Sequence, residues 1–239
     1  MPADLELVAD VRRVLAEHAD PARAPGMQRY MKSDLPFRGV TTPVLRTALR
    51  ALTARLPADR AAWEATVRTL WDDAAYREER YAALALLEAR PARGWRDPEL
   101  VPLVEHLVRT GAWWDLVDQI SGRTVAPLHR DRPDDLRPVV LGWSRHEDLW
   151  LRRTAVLSQL GSKAATDRDL LAEVVLANAD RPEFWLRKAI GWALRDLARP
   201  DPAWVRGFLA EHGDAMSPLS RREAAKHLGP GDDGPVTGQ

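Results

Sequence analysis

The run Trp150-Leu151-Arg152-Arg153-Thr154-Ala155-Val156 is answered 35 residues later by Trp185-Leu186-Arg187-Lys188-Ala189-Ile190-Gly191. Each copy opens with an indole and a leucine, continues with two basic residues and ends in small or apolar ones. That pattern suits a helix with one buried stripe. The same step again reaches Ser220-Arg221-Arg222-Glu223-Ala224-Ala225-Lys226, and one step back from Arg153 lands on Asp118. A longer step back reaches Arg80, within Glu79-Arg80-Tyr81-Ala82-Ala83-Leu84. A helical unit that recurs at roughly 35–40 residues predicts an all-α fold, an α-solenoid (superhelix) of stacked helix pairs. Equivalent positions in such a stack share one face. Arg80, Asp118, Arg153, Lys188 and Glu223 are therefore expected to form a charged ladder on a concave surface. The plain alternative is a solvated polar stripe that repeats only because the fold does.

Working outward, helical spacing recurs along the chain. Leu5, Val8, Val11, Leu15 and Ala19 predict a helix over residues 4–19. After a break at 21–26, residues 27–32 form a short helix. Phe37-Arg38-Gly39-Val40 reads as a loop that leads into a helix over 43–56, with Thr42 as N-cap and Pro43 at its first position. Asp59 caps the next helix, which reaches Trp71. Further helices are expected over 76–90, 98–109, 112–121, 134–145, 148–160, 167–179, 183–199, 201–211 and 218–228. Gly111, Gly122, Pro127, Pro133, Gly161, Pro182, Pro200 and Pro218 act as breaks between them. No segment alternates with the period of a strand. The expected organisation is one domain over residues 1–228 and a flexible tail over 229–239, rich in glycine, proline and aspartate.

Composition excludes several classes. The 239 residues include no cysteine, so disulfides, thiol nucleophiles and cysteine zinc sites are out. No run has the length of a membrane span, and the N-terminus lacks the basic and apolar regions of a signal peptide, which makes the cytoplasm the expected compartment. The six histidines, His18, His106, His129, His146, His212 and His227, show no His-Glu-x-x-His spacing. No phosphate-binding Gly-x-x-x-x-Gly-Lys motif and no nucleophile elbow occur. No cofactor or metal is expected. The formal net charge is zero, with 35 basic and 35 acidic residues, so the whole-chain charge gives no support to a nucleic-acid role. Only Lys32, Lys163, Lys188 and Lys226 are lysines; GC-rich coding accounts for such an arginine excess more readily than function does, although guanidiniums also suit bidentate phosphate contacts. Of the ten tryptophans, most are expected in the core.

One stretch stands apart: Gly111-Ala112-Trp113-Trp114-Asp115-Leu116-Val117-Asp118. On a helix, Trp114 and Asp118 lie at i and i+4 and share a face, whereas Trp113 points about 100° away. This predicts Trp113 in the core, Trp114 and Asp118 facing outward, and Asp115 in a structural role. Trp192 stands one turn after Lys188, so a second indole accompanies the ladder.

At these residues the sequence resembles the HEAT-like-repeat alkylpurine DNA glycosylases of the AlkD type. The resemblance rests on Arg29-Tyr30-Met31-Lys32, Phe37-Arg38-Gly39-Val40 with Thr42-Pro43, and Trp113-Trp114-Asp115-Leu116-Val117-Asp118. It continues through Trp150-Leu151-Arg152-Arg153, Lys188-Ala189-Ile190-Gly191-Trp192-Ala193-Leu194-Arg195 and Leu219-Ser220-Arg221-Arg222-Glu223-Ala224-Ala225-Lys226-His227. The resemblance implies tandem HEAT-like helix pairs that cradle duplex DNA on a concave basic face. It also implies hydrolysis of the N-glycosidic bond of cationic N3- and N7-alkylated purines, without flipping of the lesion into a pocket. Carried onto this chain, it makes Asp118 the catalytic carboxylate, with Trp114 and Trp192 facing the lesion. Arg153 would hold the DNA backbone, Tyr30 would approach the damaged strand, and Lys188 and Arg195 would lie near the backbone. The implied partner is double-stranded DNA containing alkylated purines. A monomer is expected on separate grounds, since a solenoid of this size needs no partner to bury its core, and the expected place of action is the cytoplasm, at the nucleoid when on DNA.

The residue types suit that chemistry. An alkylated purine already carries a positive charge, so it leaves with little help from an acid. A carboxylate stabilises the oxocarbenium character that builds on the sugar and can orient a water. Indole faces attract cations. No lysine needs to serve as an amine nucleophile, so the expectation is a monofunctional enzyme that leaves the strand intact. The competing reading is a non-catalytic helical-repeat module that binds nucleic acid or protein through the same face. In that reading Asp118 is a surface acid or a partner of Arg153, and the tryptophans belong to the core.

Overall fold

A computed structural model describes residues 1–229. Among these every regular element is helical, as the spacing predicts. The fold class is all-α, built from tandem helix pairs of the solenoid class. Two compact units can be distinguished, Met1–Thr124 and the segment from Val125 onward.

In the first unit α1 (Leu5–Glu17) buries Leu7, Val8, Val11 and Leu15, and the Asp4 carboxylate caps it by accepting from the Leu7 N–H at 2.9 Å. Next come α2 (Ala24–Met31) and α3 (Thr42–Ala48), then a short 3₁₀ turn, Leu52–Ala54. The cap of α3 is Thr41, one residue earlier than expected, and Pro43 sits in the first turn, where its missing N–H costs nothing. The expected helix over 43–56 breaks at Leu49 into these two pieces. Asp59 caps α4 (Arg60–Asp72) through the Ala62 N–H, as predicted. α4 pairs with α5 (Arg77–Leu87), and α6 (Val101–Gly111) pairs with α7 (Trp114–Ile120), while α5 also packs on α7. The core includes Trp63, Trp71, Leu84, Leu87, Leu107 and Val117. Trp63 donates its indole N–H to the Leu86 carbonyl at 3.2 Å, and Trp71 donates to the Thr110 hydroxyl at 2.8 Å.

The loop Phe37-Arg38-Gly39-Val40 is held by one acid. The fully buried Glu78 carboxylate, at the start of α5, accepts from the backbone N–H groups of Arg38, Gly39 and Val40 at 2.9–3.1 Å. Gly39 has φ +86°, and a Cβ there would lie 2.1 Å from the Asp20 carbonyl oxygen, so the motif's glycine is required by both its backbone angle and its neighbour. The resemblance residues of this loop thus serve to tie α2 and α3 to α5.

A π-helical turn, Ser121–Val125, follows α7 and runs into α8 (Ala126–Asp131). This helix was not expected, because Gly122 and Pro127 read as breaks. Pro127 occupies the first turn of α8, where proline is tolerated, and the wider π turn takes up Gly122. The second unit continues with α9 (Pro133–Ser144), α10 (Leu149–Leu157), α11 (Arg168–Leu176), α12 (Phe184–Ala198), α13 (Pro202–His212) and α14 (Pro218–Ala224). α10 packs on α9 and α12, and α12 packs on α13 and α14. The 35-residue repeat is therefore physical: Trp150 and Trp185 each occupy the second position of their helix, with ring centroids 6.4 Å apart. Gly191 lets α12 and α14 approach, since a Cβ there would come within 2.4 Å of the Glu223 Cβ and 2.8 Å of the Ser220 carbonyl.

The tryptophans depart from expectation. Trp63, Trp71, Trp143 and Trp150 are buried, and the other six are half-buried. Indoles with one polar edge serve here at the margins of the helix pairs as often as in the core. Of the expected tail, all but Gly229 lies outside the described residues.

Candidate active site

The stretch at α7 begins with a forced turn. α6 ends at Gly111, and Ala112 takes φ 39° and ψ 34°, a left-handed conformation that costs a non-glycine residue about 1–2 kcal/mol. Trp113 then adopts an extended conformation, φ −151°, as the residue before the first helical turn. Trp113 was expected in the core, but it is half-buried, like Trp114. The reason is that Trp113 precedes the helix, so the angular offset of neighbouring helical residues does not apply to it. Within α7, Leu116, Val117 and Ile120 are fully buried, and Trp114, Asp115, Asp118 and Gln119 are half-buried on the remaining arc. Trp114 and Asp118 stand one turn apart on that arc.

Asp115 has the structural role that the sequence reading expects. Asp115 is committed to structure: it accepts from the Arg77 guanidinium at 2.6 Å and from the Tyr81 hydroxyl at 2.6 Å, and the side chains of Asp115 and Arg77 are each 6% exposed. Burial, and then the adjacent Asp115 charge, push the Tyr81 phenol well above its ordinary range, so it stays a donor. This clamp joins α5 to α7 and fixes the rotation of α7, and with it the direction of Trp114 and Asp118. Trp114 also lines a cavity of about 410 Å³ in the first unit, shared with Tyr81, Glu88, Gln119 and Arg123.

The ladder positions have uses the sequence did not reveal. Arg80 donates to the Thr110 carbonyl at 3.1 Å and stands 5.1 Å from the Trp71 ring centroid. Arg153 is 3% exposed, donates to the Trp185 carbonyl of the next helix pair and lies 5.9 Å from that ring's centroid. Lys188 pairs with Glu223 at 3.0 Å. Equivalent side chains thus reach one repeat forward and fasten successive pairs, an internal role alongside any contact with a partner.

In the second unit the structure brings Lys188 and Arg195 together on one carboxylate. Glu223 accepts from Lys188 at 3.0 Å, Arg195 at 2.6 Å and Lys226 at 2.8 Å, and its side chain is 9% exposed. The Lys226 hydrogen bond, with that of Lys188, outweighs burial and holds the Glu223 carboxyl at about 2. Three cations around one anion leave a local excess of positive charge. Beside them, Trp192 and Arg195 line a cavity of about 460 Å³ with Asp196, Arg199, Lys226 and His227. Arg199, Lys226 and His227 were not among the expected site residues. The spacing of Trp192, Arg195 and Arg199 at three and four was the available signal. Tyr30, on α2, is 73% exposed.

Among the described residues no group of three or more histidine, aspartate or glutamate side chains could hold a metal ion, and no helix is long and apolar enough to cross a membrane.

Comparison with known proteins agrees with this architecture. The family model of the DNA alkylation repair enzymes matches residues 11–228. A solved structure described as a predicted DNA alkylation repair enzyme from Enterococcus faecalis is 26% identical, with a TM-score of 0.78, covering 90% of this chain and 98% of that one. No curated protein matches. The family match takes in α7, the Glu223 cluster and both compact units, and the chain belongs to the DNA alkylation repair enzyme family.

Proposed function

We propose that the protein is a monofunctional DNA glycosylase that hydrolyses the N-glycosidic bond of cationic N3- and N7-alkylated purines, such as 3-methyladenine and 7-methylguanine, in duplex DNA without flipping the lesion. The observation that carries this reading is the family match over residues 11–228, which takes in α7 with Trp114 and Asp118 one turn apart and both half-buried. Asp118 is the carboxylate that stabilises the sugar cation and orients water. Trp114 and Trp192 supply indole surface to the cationic base. Lys188 and Arg195 supply charge to the backbone, Arg153 holds a phosphate or positions the groups that do, and Tyr30 meets the damaged strand. The protein acts as a monomer on DNA in the cytoplasm.

The test is chromatography of bases released from methylated duplex DNA. The expected result is release of 7-methylguanine and 3-methyladenine with no strand cleavage, and a loss of about 10²-fold or more in Asp118→Asn. If the wild-type protein releases no methylated base, or if Asp118→Asn matches it, the reading fails and a DNA-binding module without catalysis takes its place.

A further inference from the structure

The cavity of about 410 Å³ in the first unit has a composition that DNA backbone binding does not call for. Its size falls within the range of small-molecule sites, about 300–1,000 Å³. One side is apolar and adaptable, with Met27, Met31, Leu45 and Leu49. The polar side holds Glu88, whose side chain is 15% exposed. The Gln119 amide donates to Glu88 Oε1 at 2.7 Å and fixes the carboxylate, while Arg123 Nη1 stands 3.6 Å from Oε2. An ionised carboxylate has about four lone-pair sites, so one donor on Oε1 does not exhaust its accepting capacity. Two exposed guanidiniums, Arg46 and Arg123, stand among the lining residues, and Trp114 adds an indole surface.

We propose that this cavity binds a guanine nucleotide, with the base against Glu88 and the phosphate at Arg46 and Arg123. Guanine is the nucleobase that presents two adjacent donors, N1–H and the N2 amino group, in the spacing of the two oxygens of a carboxylate. Adenine offers the lone pair of N1 at the equivalent edge and is repelled. The apolar wall and the indole accept the faces of the ring. The two arginines hold an anionic group that Glu88 would reject. Burial pushes the Glu88 carboxyl above its ordinary value, against the Gln119 hydrogen bond and the charges of Arg123, Arg96 and Arg46. Discrimination between guanine and adenine should therefore fade at a higher pH than an exposed glutamate would give. The assignment does not depend on glycosylase activity, and the nucleotide can be free or part of a single strand, since the chemistry is the same.

Calorimetric titration of the full chain at pH 7.5 with GMP, AMP and guanosine, and with short single-stranded oligonucleotides that differ by one guanine for adenine, tests it. Saturable binding of GMP is expected, with AMP weaker by about tenfold or more. Glu88→Gln should abolish that preference, and Arg46→Ala with Arg123→Ala should weaken GMP but leave guanosine unchanged. Binding of the guanine oligonucleotide without GMP would place the nucleotide in a strand and still support the site. Failure of both GMP and the oligonucleotide to bind, equal affinity for GMP and AMP, or an unaltered preference in a Glu88→Gln variant with a normal circular dichroism melt would overturn it. Loss of base release from methylated DNA would bear on the catalytic reading alone, because none of these titrations uses it.

Discussion

At Glu223 a single carboxylate organises three cations, and its ionisation gives a signature that can be measured. The folded carboxyl sits at about 2, below the ordinary value of 4.5. A depressed acid contributes stability that is present above the unfolded value and is lost as pH falls from about 4.5 toward about 2. Because Lys188, Arg195 and Lys226 are 39%, 24% and 52% exposed, solvent screening reduces what the pairing is worth. Glu223→Gln is expected to lose roughly 1–2 kcal/mol at pH 7, and the gap to the wild type should close as pH approaches 2. Urea midpoints for the two proteins across that range would show it, and a pH-independent gap would mean that the lost stability comes from packing against Gly191. Glu88 is the opposite case. Its raised value means that charging the carboxyl opposes folding, so Glu88→Gln should hold its melting temperature at neutral pH or raise it.

The helices carry constraints of opposite sign at two nearby kinds of position. Ala112 closes α6 in a left-handed conformation, with its N–H bonded to the Val108 carbonyl at 3.1 Å, and glycine would adopt that conformation without strain. Ala112→Gly should stabilise the protein by about 0.5–1 kcal/mol. Gly191 has no room for a side chain between α12 and Glu223, so Gly191→Ala should cost about 1–3 kcal/mol by forcing α14 away. Thermal melts of the two variants that move in the same direction would contradict this account. The helices themselves were legible because burial imposes a periodicity: Leu7, Val8, Val11 and Leu15 of α1 are all buried. The Asp59 cap and the 35-residue repeat were legible for the same kind of local reason. What sequence could not supply were partners fixed by tertiary approach. Nothing about Asp115 announces Arg77 and Tyr81, which lie 38 and 34 residues away, and nothing about Arg153 announces the Trp185 carbonyl. α8 was missed because a proline reads as a break until its place in the first turn is known.

Over the whole chain, 35 basic and 35 acidic residues cancel, and many arginines are neutralised where they stand, as Arg60 is by Glu64 and Asp97 and Arg168 is by Asp201. A neutral protein draws little benefit from long-range attraction to a polyanion. Any affinity for DNA must come from places where cations outnumber acids, and the cluster of Lys188, Arg195 and Lys226 on Glu223, with Arg199 and His227 beside it, is such a place. Each phosphate neutralised releases counterions and adds about −0.9 to the slope of log affinity against log salt. With roughly three to five such contacts, undamaged duplex should bind with a slope of about −3 to −4.5, shallow for a DNA-binding protein. Lys226→Ala and Arg199→Ala should each reduce that slope by about one while weakening all duplex sequences alike. Fluorescence anisotropy of a labelled duplex between 50 and 200 mM salt, on the order of the range over which such contacts are resolved, is the measurement. If both variants keep the wild-type slope, the cations around Glu223 hold the helices together and DNA is held elsewhere.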